Sequence, residues 1–331
     1  MMKLSTMKAV VDTMNDQWES PIADEILSRW DHEEGRAQYL RASANFLFTF
    51  QISGKKNFLR FNHSTERSAD AVLAETTFLN HLLDKGLSVS APTPSQSGRL
   101  VESVQTPLGI FHATAFEELA GEQLDIEHAD PGIFARWGRA LGELHQASKG
   151  YQTAGRQTIQ EKLATALDCL PGSEVAALAT AEDLRKQLAR LSINQENYGL
   201  VHFDYELDNI VWSKNGVAAL DFDDSVYCWF SADIAFALRD LFGDSPGNID
   251  LQSDSVQHFV RGYRTAKCVT QEELNLIPLF LRLHNLLTFA KLHRALGVEE
   301  PKDEPEWLKG LRTKLSEKIS CYRIGFATPF G

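Results

Sequence analysis

The residues of this chain that are best suited to chemistry lie between His202 and Asp223. Asp204 and Asn209 lie between two apolar runs, and Asp221 and Asp223 follow a third apolar run. Carboxylate and carboxamide oxygens are the ligands that a hard cation such as Mg²⁺ takes in proteins. A carboxylate beside them can orient or deprotonate an attacking hydroxyl. These residue types therefore predict phosphoryl transfer from a nucleotide.

An Asn-Gly pair at Asn215 and Gly216 is predicted to bring these groups together. Asn-Gly between two strand-like runs is a strong hairpin signal. A hairpin folded about this turn puts Asn209 opposite Asp221, or within a residue or two of it, with Asp204 on the loop just ahead. The alternative is an acidic surface hairpin, because Asp and Asn are common beside turns. That alternative leaves the spacing of the whole set unexplained.

Composition predicts an ordinary globular protein. The 331 residues are 43% hydrophobic and 24% charged, which is enough for two lobes that each have a core. No apolar run approaches the ~20 residues that span a bilayer, and the first six residues lack the apolar core of a secretory signal. Four cysteines without CxxC spacing argue against a disulfide framework or a structural zinc site. We expect a cytoplasmic protein that does not enter the membrane.

The net charge limits the classes of partner. It is -12, and no cluster of Lys and Arg forms a basic patch, so no nucleic-acid partner is expected. An acidic balance mildly favours an amine-bearing small-molecule substrate. The oligomeric state stays open between a monomer and a homodimer.

The order of predicted elements indicates an α+β fold. The first third is rich in strands and has one long helix, and the remainder is helical apart from the hairpin. The border is expected near 117–121, which gives a first lobe of residues 1–118 and a second of residues 119–331. Ala91-Pro92-Thr93-Pro94 is predicted to break structure. The expected strands fall within 38–61, 99–105 and 109–118, and the expected helices are 21–32, 66–85, 131–147, 156–168 and 174–192, with more between 231 and 320.

The hairpin resembles the catalytic segment of the aminoglycoside phosphotransferase, choline kinase and homoserine kinase-like superfamily. The catalytic loop of that superfamily reads H-x-D-x-x-x-x-N, which His202, Asp204 and Asn209 match. The resemblance implies a bilobal protein-kinase-like fold with ATP and Mg²⁺ as cofactors. It implies that Asp204 is the base or orienting group for the acceptor hydroxyl. Asn209 and Asp221 would hold the metal, and Asp223 would support a second ion.

Two further residues of this region admit two interpretations each. By resemblance, His202 holds the loop, and the alternative is a general base. Asp233 resembles the downstream Asp of the superfamily, whose carboxylate ties down the backbone of the catalytic loop. The alternative for Asp233 is an ordinary acidic residue at the start of a helix, stabilised by the helix dipole.

The first lobe is expected to hold the nucleotide. Ser43 and Asn45 lie between two predicted strands, where the superfamily has its phosphate-covering loop, although this segment has no glycine. Arg60 stands in an apolar strand where protein kinases have a lysine. A buried cation needs a partner, and Glu75 in the following helix is the predicted one. The alternative for Arg60 is a solvent-facing position on an edge strand.

The remaining site predictions rest on position. Backbone groups of Glu118 and Leu119 are expected to meet the adenine edge, because Phe116 to Gly121 resembles the hinge between the lobes. His145 is expected to pack against the catalytic loop. Candidates for the acceptor site are Asp224, Tyr227, Trp229, Arg239, Arg282, His284 and Asn285.

These observations favour an ATP-dependent kinase that phosphorylates a hydroxyl of an amino alcohol, amino acid, sugar or aminoglycoside. The alternative is a nucleotide-binding regulator without catalysis, suggested by the glycine-free loop and by Arg60. A protein kinase is disfavoured because no Ala-Pro-Glu element follows Asp223. Hydrolase chemistry has no support, since there is no G-x-S-x-G segment.

Overall fold

A computed structural model describes residues 1–214, 216–242, 249–297 and 304–327. The chain divides into two compact units, and both are discontinuous in sequence. Unit 1 consists of Met1–Asn80, Ser90–Glu118 and Lys291–Lys318, and unit 2 of His81–Val89, Leu119–Ala290 and Ile319–Gly331. The predicted functions of residues 1–118 and 119–331 stay predictions.

Strands are concentrated before residue 118 and helices after it, as the sequence pattern predicts. The strands are β1 Gln38–Ala42, β2 Phe46–Ile52, β3 Lys55–His63, β4 Pro92–Thr93, β5 Glu102–Thr106, β6 Gly109–Glu117, β7 Tyr198–Val201, β8 Ile210–Ser213, β9 Gly216–Ala219 and β10 Val226–Trp229. The helices are α1 Leu4–Val11, α2 Pro21–Leu27, α3 Ala69–Asp84, α4 Pro131–Ser148, α5 Ile159–Leu167, α6 Val175–Leu188, α7 Phe230–Ala237, α8 Arg239–Phe242, α9 Asp254–Arg264, α10 Gln271–Leu274, α11 Ile277–Leu296 and α12 Glu306–Ala327. None of the helices in the described ranges has the length and apolarity needed to cross a membrane.

Unit 1 is built on an antiparallel sheet with the order β1-β2-β3-β6-β4, in which β5 also pairs with β6. Alternate side chains of a strand point to the same face, which places Phe46 and Phe48 together in the core. Their rings stack on Phe61 of β3 at 5.2 and 5.5 Å between centroids. This apolar face holds the strand that carries Arg60.

The turn from β2 to β3 is tight, since Ser53 and Gly54 both adopt positive φ and β3 begins at Lys55. Two other details of unit 1 differ from the sequence prediction. Helix α1 was not predicted. Pro92 and Thr93 pair with β6 instead of only breaking structure, since a short strand end tolerates proline.

The core of unit 2 includes a close crossing of α4 and α9. A Cβ atom on Gly138 would lie 2.0 Å from the Phe259 carbonyl oxygen, and one on Gly262 would lie 1.9 Å from the Ala135 carbonyl oxygen. Only glycine permits this approach of the two backbones. Helix α4 is thereby fixed, and it carries His145 at its C-terminal end.

Two small antiparallel pairs in unit 2 carry the predicted chemistry. β7 pairs with β10, and β8 pairs with β9, in a register that places Ile210 opposite Ala219 and Ser213 opposite Gly216. The predicted hairpin is therefore confirmed, although Asn215 of its turn lies outside the described residues. The Leu220 N–H donates to the Asn209 carbonyl at 2.9 Å, so Asn209 and Asp221 lie within one residue of facing positions, as expected.

Candidate active site

Asp204 and Asn209 form a contact pair at the mouth of the hairpin. The Asn209 amide nitrogen donates to the Asp204 backbone carbonyl at 2.9 Å and to Asp204 Oδ2 at 3.2 Å. This orientation points the amide nitrogen at the carboxylate and leaves the amide oxygen as an acceptor for another group. Asn209 is buried, whereas Asp204 keeps about a third of its side chain exposed. The pair therefore offers one oriented carboxylate and one oxygen ligand.

The His202 ring joins the two ends of the hairpin through contacts with backbone groups. Its ring is fully buried, and its Nδ1 accepts from the Asp204 backbone N–H at 3.2 Å. Since a backbone N–H can only donate, the ring proton must be on Nε2, which lies 2.7 Å from the Leu220 carbonyl oxygen. Both ring nitrogens are thus engaged with backbone. The scaffold interpretation of His202 agrees with this geometry, and the general-base interpretation does not.

Asp233 fixes the backbone of the catalytic segment. Its fully buried carboxylate accepts from the His202 N–H at 3.0 Å and from the Phe203 N–H at 2.7 Å. A third donor, His145 Nε2, lies 3.0 Å away, and His145 Nδ1 accepts from the Tyr263 hydroxyl at 2.8 Å. Burial lowers the pKa of His145, although the hydrogen bond to Asp233 opposes this. Asp233 therefore does more than stabilise a helix start, and His145 packs behind the loop as predicted.

Two residues of this region adopt left-handed backbone conformations that are unusual for side-chain-bearing residues. Phe203 has φ of 75° and Asp221 has φ of 58°. Such strain persists where surrounding contacts hold it. At Phe203 those contacts include the hydrogen bond to Asp233 and the packing of the ring on Phe236, with 4.8 Å between centroids.

Arg156 holds the segment that contains Asp221 and Asp223, and sequence analysis missed it. Its guanidinium donates to the carbonyls of Asp223 at 2.6 Å, Phe222 at 3.2 Å and Ser225 at 3.3 Å. The Asp221 side chain is half-buried and the Asp223 side chain is buried. Arg156 lies in a loop more than sixty residues earlier in the chain, and no local pattern points to it.

Lys162 supports the same segment. Its ammonium lies 3.1 Å from Asp224 Oδ1 and 4.6 Å from the centre of the Phe203 ring. Asp224 was an acceptor candidate and has this structural partner. In the described part of the chain, no three His, Cys, Asp or Glu side chains are grouped to hold a metal ion. Metal binding by Asn209, Asp221 and Asp223 stays a prediction.

Arg239, another acceptor candidate, contacts the predicted base itself. Its Nη2 lies 2.9 Å from Asp204 Oδ1 and also donates to Glu206 Oε2. Burial raises the pKa of the Glu206 carboxyl to about 7, and the nearby Asp204 charge acts in the same direction, while Arg239 opposes the rise. Sequence analysis gave Glu206 no role. Tyr227 and Trp229 are buried in β10.

In unit 1, Arg60 and Glu75 form the predicted ion pair. Arg60 Nη2 lies 2.5 Å from Glu75 Oε2, and both side chains are buried. The guanidinium carbon also lies 4.9 Å from the centre of the Phe116 ring. The solvent-facing alternative for Arg60 is therefore wrong.

The predicted phosphate-covering loop joins β1 to β2. The Ser43 N–H donates to the Asn45 carbonyl at 3.1 Å, which closes a tight bend without glycine. The Ala44 carbonyl accepts from the Asn62 amide at 3.0 Å, and the Ser43 carbonyl accepts from the Met2 N–H at 2.9 Å. Asn45 is buried. The loop is thus held from both sides.

The predicted adenine contacts lie at the end of β6. The Glu118 N–H donates to the Lys56 carbonyl at 3.3 Å, and the Glu118 side chain lies 2.8 Å from Lys56 Nζ. Among the described residues, neither the Glu118 carbonyl nor the Leu119 N–H makes a backbone hydrogen bond. Their contact with the adenine edge stays a prediction.

The sequence matches a family model and several characterised proteins. A model of the phosphotransferase enzyme family (APH) matches residues 27–268. The chain is 28% identical over 320 residues to amicoumacin kinase of Bacillus subtilis (strain 168), which covers 93% of this chain and 95% of the relative. It is 23% identical over 266 residues to homoserine kinase of Parvibaculum lavamentivorans, covering 76% of this chain and 77% of the relative.

Solved structures show the same fold. An amicoumacin kinase in complex with AMP-PNP, Ca²⁺ and Ami has a TM-score of 0.76 at 23% identity and covers 98% of both chains. A microcompartment-associated aminopropanol kinase has a TM-score of 0.68 at 21% identity, covering 92% of this chain and 94% of that one. The predicted α+β protein-kinase-like fold is confirmed, and so is the predicted phosphotransferase family. Because the family model covers more than half of the sequence, the chain belongs to the phosphotransferase enzyme family and is a kinase of small-molecule hydroxyl groups.

Proposed function

We propose that Asp204 orients the acceptor hydroxyl and receives its proton while the γ-phosphoryl group of ATP is transferred. The observation that carries this proposal is the Asp204–Asn209 pair, in which an ordered, partly exposed carboxylate lies beside an amide oxygen directed away from it. The bond from the acceptor oxygen to phosphorus forms as the bond from phosphorus to the leaving oxygen of ADP breaks. Catalysis of this kind depends on positioning and on charge neutralisation.

The chain's own residues supply a metal site that fits Mg²⁺. Asn209, Asp221 and Asp223 would hold the ion, because their oxygens are the hard ligands that Mg²⁺ prefers. Bound Mg²⁺ would neutralise negative charge on the triphosphate. The Asn209 amide supports this fit, since its nitrogen is taken up by Asp204 and its oxygen is available.

The proposed nucleotide contacts other than Leu119 lie in unit 1. We assign to Arg60, which Glu75 orients, the role of neutralising charge on the nucleotide phosphates. The bend at Ser43 and Asn45 is assigned to binding the phosphate oxygens. The fork of a guanidinium can replace the usual lysine, because it presents several donors to phosphate oxygens. The Glu118 carbonyl and the Leu119 N–H are assigned to the adenine edge.

The proposed acceptor is a hydroxyl compound that carries an amine. Aminopropanol and homoserine, which appear in the names of two relatives, are compounds of this type. Asp204, Asp208 and Asp240 place negative charge around Glu206, which shares Arg239 with Asp204. A negative surface attracts cationic ligands.

The test is turnover of a panel by the purified protein with Mg²⁺-ATP. The panel contains aminopropanol, homoserine, choline, spectinomycin, an aminoglycoside and amicoumacin. At least one member should be phosphorylated, and Asp204→Asn should reduce kcat by at least about 10²-fold, since general base catalysis supplies about 10²–10⁴.

Asp208→Asn serves as the matched control, because Asp208 is an exposed carboxylate of the same loop. It should keep kcat within about threefold of the wild type. Turnover by Asp204→Asn at the wild-type rate would refute the proposed role. Binding of AMP-PNP with Mg²⁺ but no turnover of any acceptor would support the non-catalytic regulator.

A further inference from the structure

Arg239 bridges two carboxylates of the catalytic loop. It is the first residue of α8, and its Nη2 lies 2.9 Å from Asp204 Oδ1 while also donating to Glu206 Oε2. Its other terminal nitrogen donates to the Phe236 carbonyl at 3.0 Å. The side chain is 18% exposed, so the guanidinium is held by protein groups on both sides and not by solvent.

The bridge completes the restraint of the Asp204 carboxylate. Arg239 occupies one oxygen of that carboxylate, and the Asn209 amide, 3.2 Å from the second oxygen, occupies the other. A carboxylate has about four lone-pair sites, so positions remain for an acceptor hydroxyl. Rotation about the bond to the carboxylate would break one or both of these contacts. The lone pair that faces the acceptor is therefore fixed in direction before substrate binds.

We propose that Arg239 is a positioning residue for phosphoryl transfer. It holds the Asp204 carboxylate toward the acceptor hydroxyl, with Glu206 as its second anchor, and keeps a positive charge beside the oxygen that attacks phosphorus. This inference rests on the proposed role of Asp204. A charge fixed before the reaction stabilises the transition state without reorganisation at the moment of transfer.

The geometry explains why lysine would be a poor substitute. The two terminal nitrogens of arginine reach the carboxylates and the Phe236 carbonyl at the same time. Lysine has one nitrogen on a shorter stem, and it can keep the charge but not the whole set of contacts. Without any cation here, Asp204 and Glu206 would repel each other. We therefore expect Arg239→Lys to be impaired and Arg239→Gln to be impaired further.

Arg312 provides a matched control in unit 1. It is 13% exposed, pairs with the Glu304 carboxylate and donates to the Leu296 carbonyl at 3.1 Å. Arg312→Gln therefore removes a similarly buried guanidinium that joins a carboxylate to a backbone carbonyl. Unfolding midpoints of all variants report how much of each effect is loss of stability.

The experiment measures kcat and KM for Arg239→Gln, Arg239→Lys and Arg312→Gln with the acceptor that the panel identifies. It also measures slow ATP hydrolysis, in which water is the acceptor. We expect Arg239→Gln to lower kcat by about 10²-fold, because loss of one preorganised donor has an effect of this order. Its KM for ATP should stay within about threefold, and Arg239→Lys should fall between it and the wild type. Added guanidinium should raise the rate of Arg239→Ala, a response that a purely structural role would not produce.

Three results would overturn the inference. The first is a kcat for Arg239→Gln within about threefold of the wild type. The second is an equal loss of kcat in Arg312→Gln. The third is a failure of guanidinium to raise the rate of a folded Arg239→Ala protein. If the wild type itself transfers phosphate to no acceptor and does not hydrolyse ATP, the proposed function fails instead, so the two failures are distinguishable.

Discussion

At the scale of single residues, one buried carboxylate fixes the backbone that carries Asp204. Asp233 accepts from two consecutive N–H groups, those of His202 and Phe203, and from the His145 ring. The Phe203 backbone is left-handed, and the hydrogen bond to Asp233 helps to hold it there. The position of the proposed catalytic carboxylate therefore depends on a fully buried residue behind the loop.

Replacing Asp233 by Asn should destabilise the protein by about 3 kcal/mol. The amide offers one oxygen and one NH₂ group to a set of three donors, so at least one buried donor loses its partner, and hydrogen bonds to charged groups contribute about 1.5–3 kcal/mol each. Urea unfolding followed by tryptophan fluorescence measures the change. kcat should fall as well, because the loop loses its anchor.

Asp254→Asn is the control that shows how much stability is lost when only a helix-dipole interaction is removed. Asp254 is an exposed residue in the first turn of α9, just as Asp233 lies in the first turn of α7. Loss of a dipole interaction alone contributes at most about 1 kcal/mol. If the two variants lose the same stability, Asp233 is only a helix-start residue.

A contact between residues was predictable from the sequence where a charged residue stands in an apolar segment and therefore needs a partner. Arg60 in an apolar strand required a partner, and Glu75 was the only acid in the right turn of the next helix. Arg156 and Arg239 created no such conflict in their own segments. Their partners are 66–69 and 33–35 residues away in the sequence, and only the folded chain brings them together.

At the scale of elements, the segment after β9 is held by side chains from an earlier part of the chain. Residues 221–225 form no helix or strand, and their backbone carbonyls are held by Arg156 while Asp224 is paired with Lys162. An irregular segment keeps one conformation only where side chains satisfy its backbone groups. Asp221 and Asp223, two of the three proposed metal ligands, depend on this arrangement.

Replacing Arg156 by Lys should weaken metal activation more than it weakens the fold. A single ammonium cannot span the three carbonyls that the guanidinium reaches. Loss of a group that orients metal ligands typically costs about 10–100-fold in metal affinity. We therefore expect the Mg²⁺ concentration for half-maximal activity to rise at least about tenfold, measured at saturating ATP. Arg185→Lys, on the exposed face of α6, is the control, and an unchanged Mg²⁺ dependence of Arg156→Lys would refute the argument.

Elements were predictable where periodicity and turn chemistry agreed. The hairpin of β8 and β9 follows from alternating apolar runs around Asn-Gly, and α4 follows from apolar residues at helical spacing. The short strand β4 was not predictable, because its pairing with β6 is a tertiary contact that overrides the local preference of proline. Helix α1 is only eight residues long, and three buried side chains hold it.

At the scale of the whole molecule, the order of elements predicts the fold class but not the composition of the units. Strands before residue 118 and helices after it identify an α+β protein. The division into units is less regular, since residues 291–318 group with the first unit and residues 81–89 with the second. Residues 291–318 begin inside α11 and end inside α12, and residues 81–89 begin inside α3 and end before β4. A helix that passes from one unit into another leaves no break in its periodicity for sequence analysis to detect.

The free energy of unfolding should depend on pH through Glu206. Burial raises the pKa of this carboxyl from 4.5 to about 7, with Asp204, Asp208 and Asp240 acting in the same direction and Arg239 opposing them. The folded protein therefore holds a proton on Glu206 between about pH 4.5 and 7, where the unfolded chain has released it. Its contribution to stability is fully present below pH 4.5 and is lost as the pH rises through 7.

Glu206→Gln tests this dependence in metal-free protein. The neutral amide does not titrate, so the stability of the variant relative to the wild type should increase from pH 5 to pH 8, by about 1–2 kcal/mol once solvent screening of the exposed part is allowed for. Glu161, in the capping box of α5, gives the opposite sign, because a hydrogen bond from the Thr158 N–H lowers its pKa. Glu161→Gln should be less stable than the wild type above about pH 4.5, and this difference in stability should shrink as the pH falls below that value. Urea midpoints at five pH values measure both trends. A difference in unfolding free energy between Glu206→Gln and the wild type that stays constant from pH 5 to pH 8 would mean that the Glu206 carboxyl is ionised throughout this range. Arg239 would then bridge two carboxylates that are both charged at every pH tested.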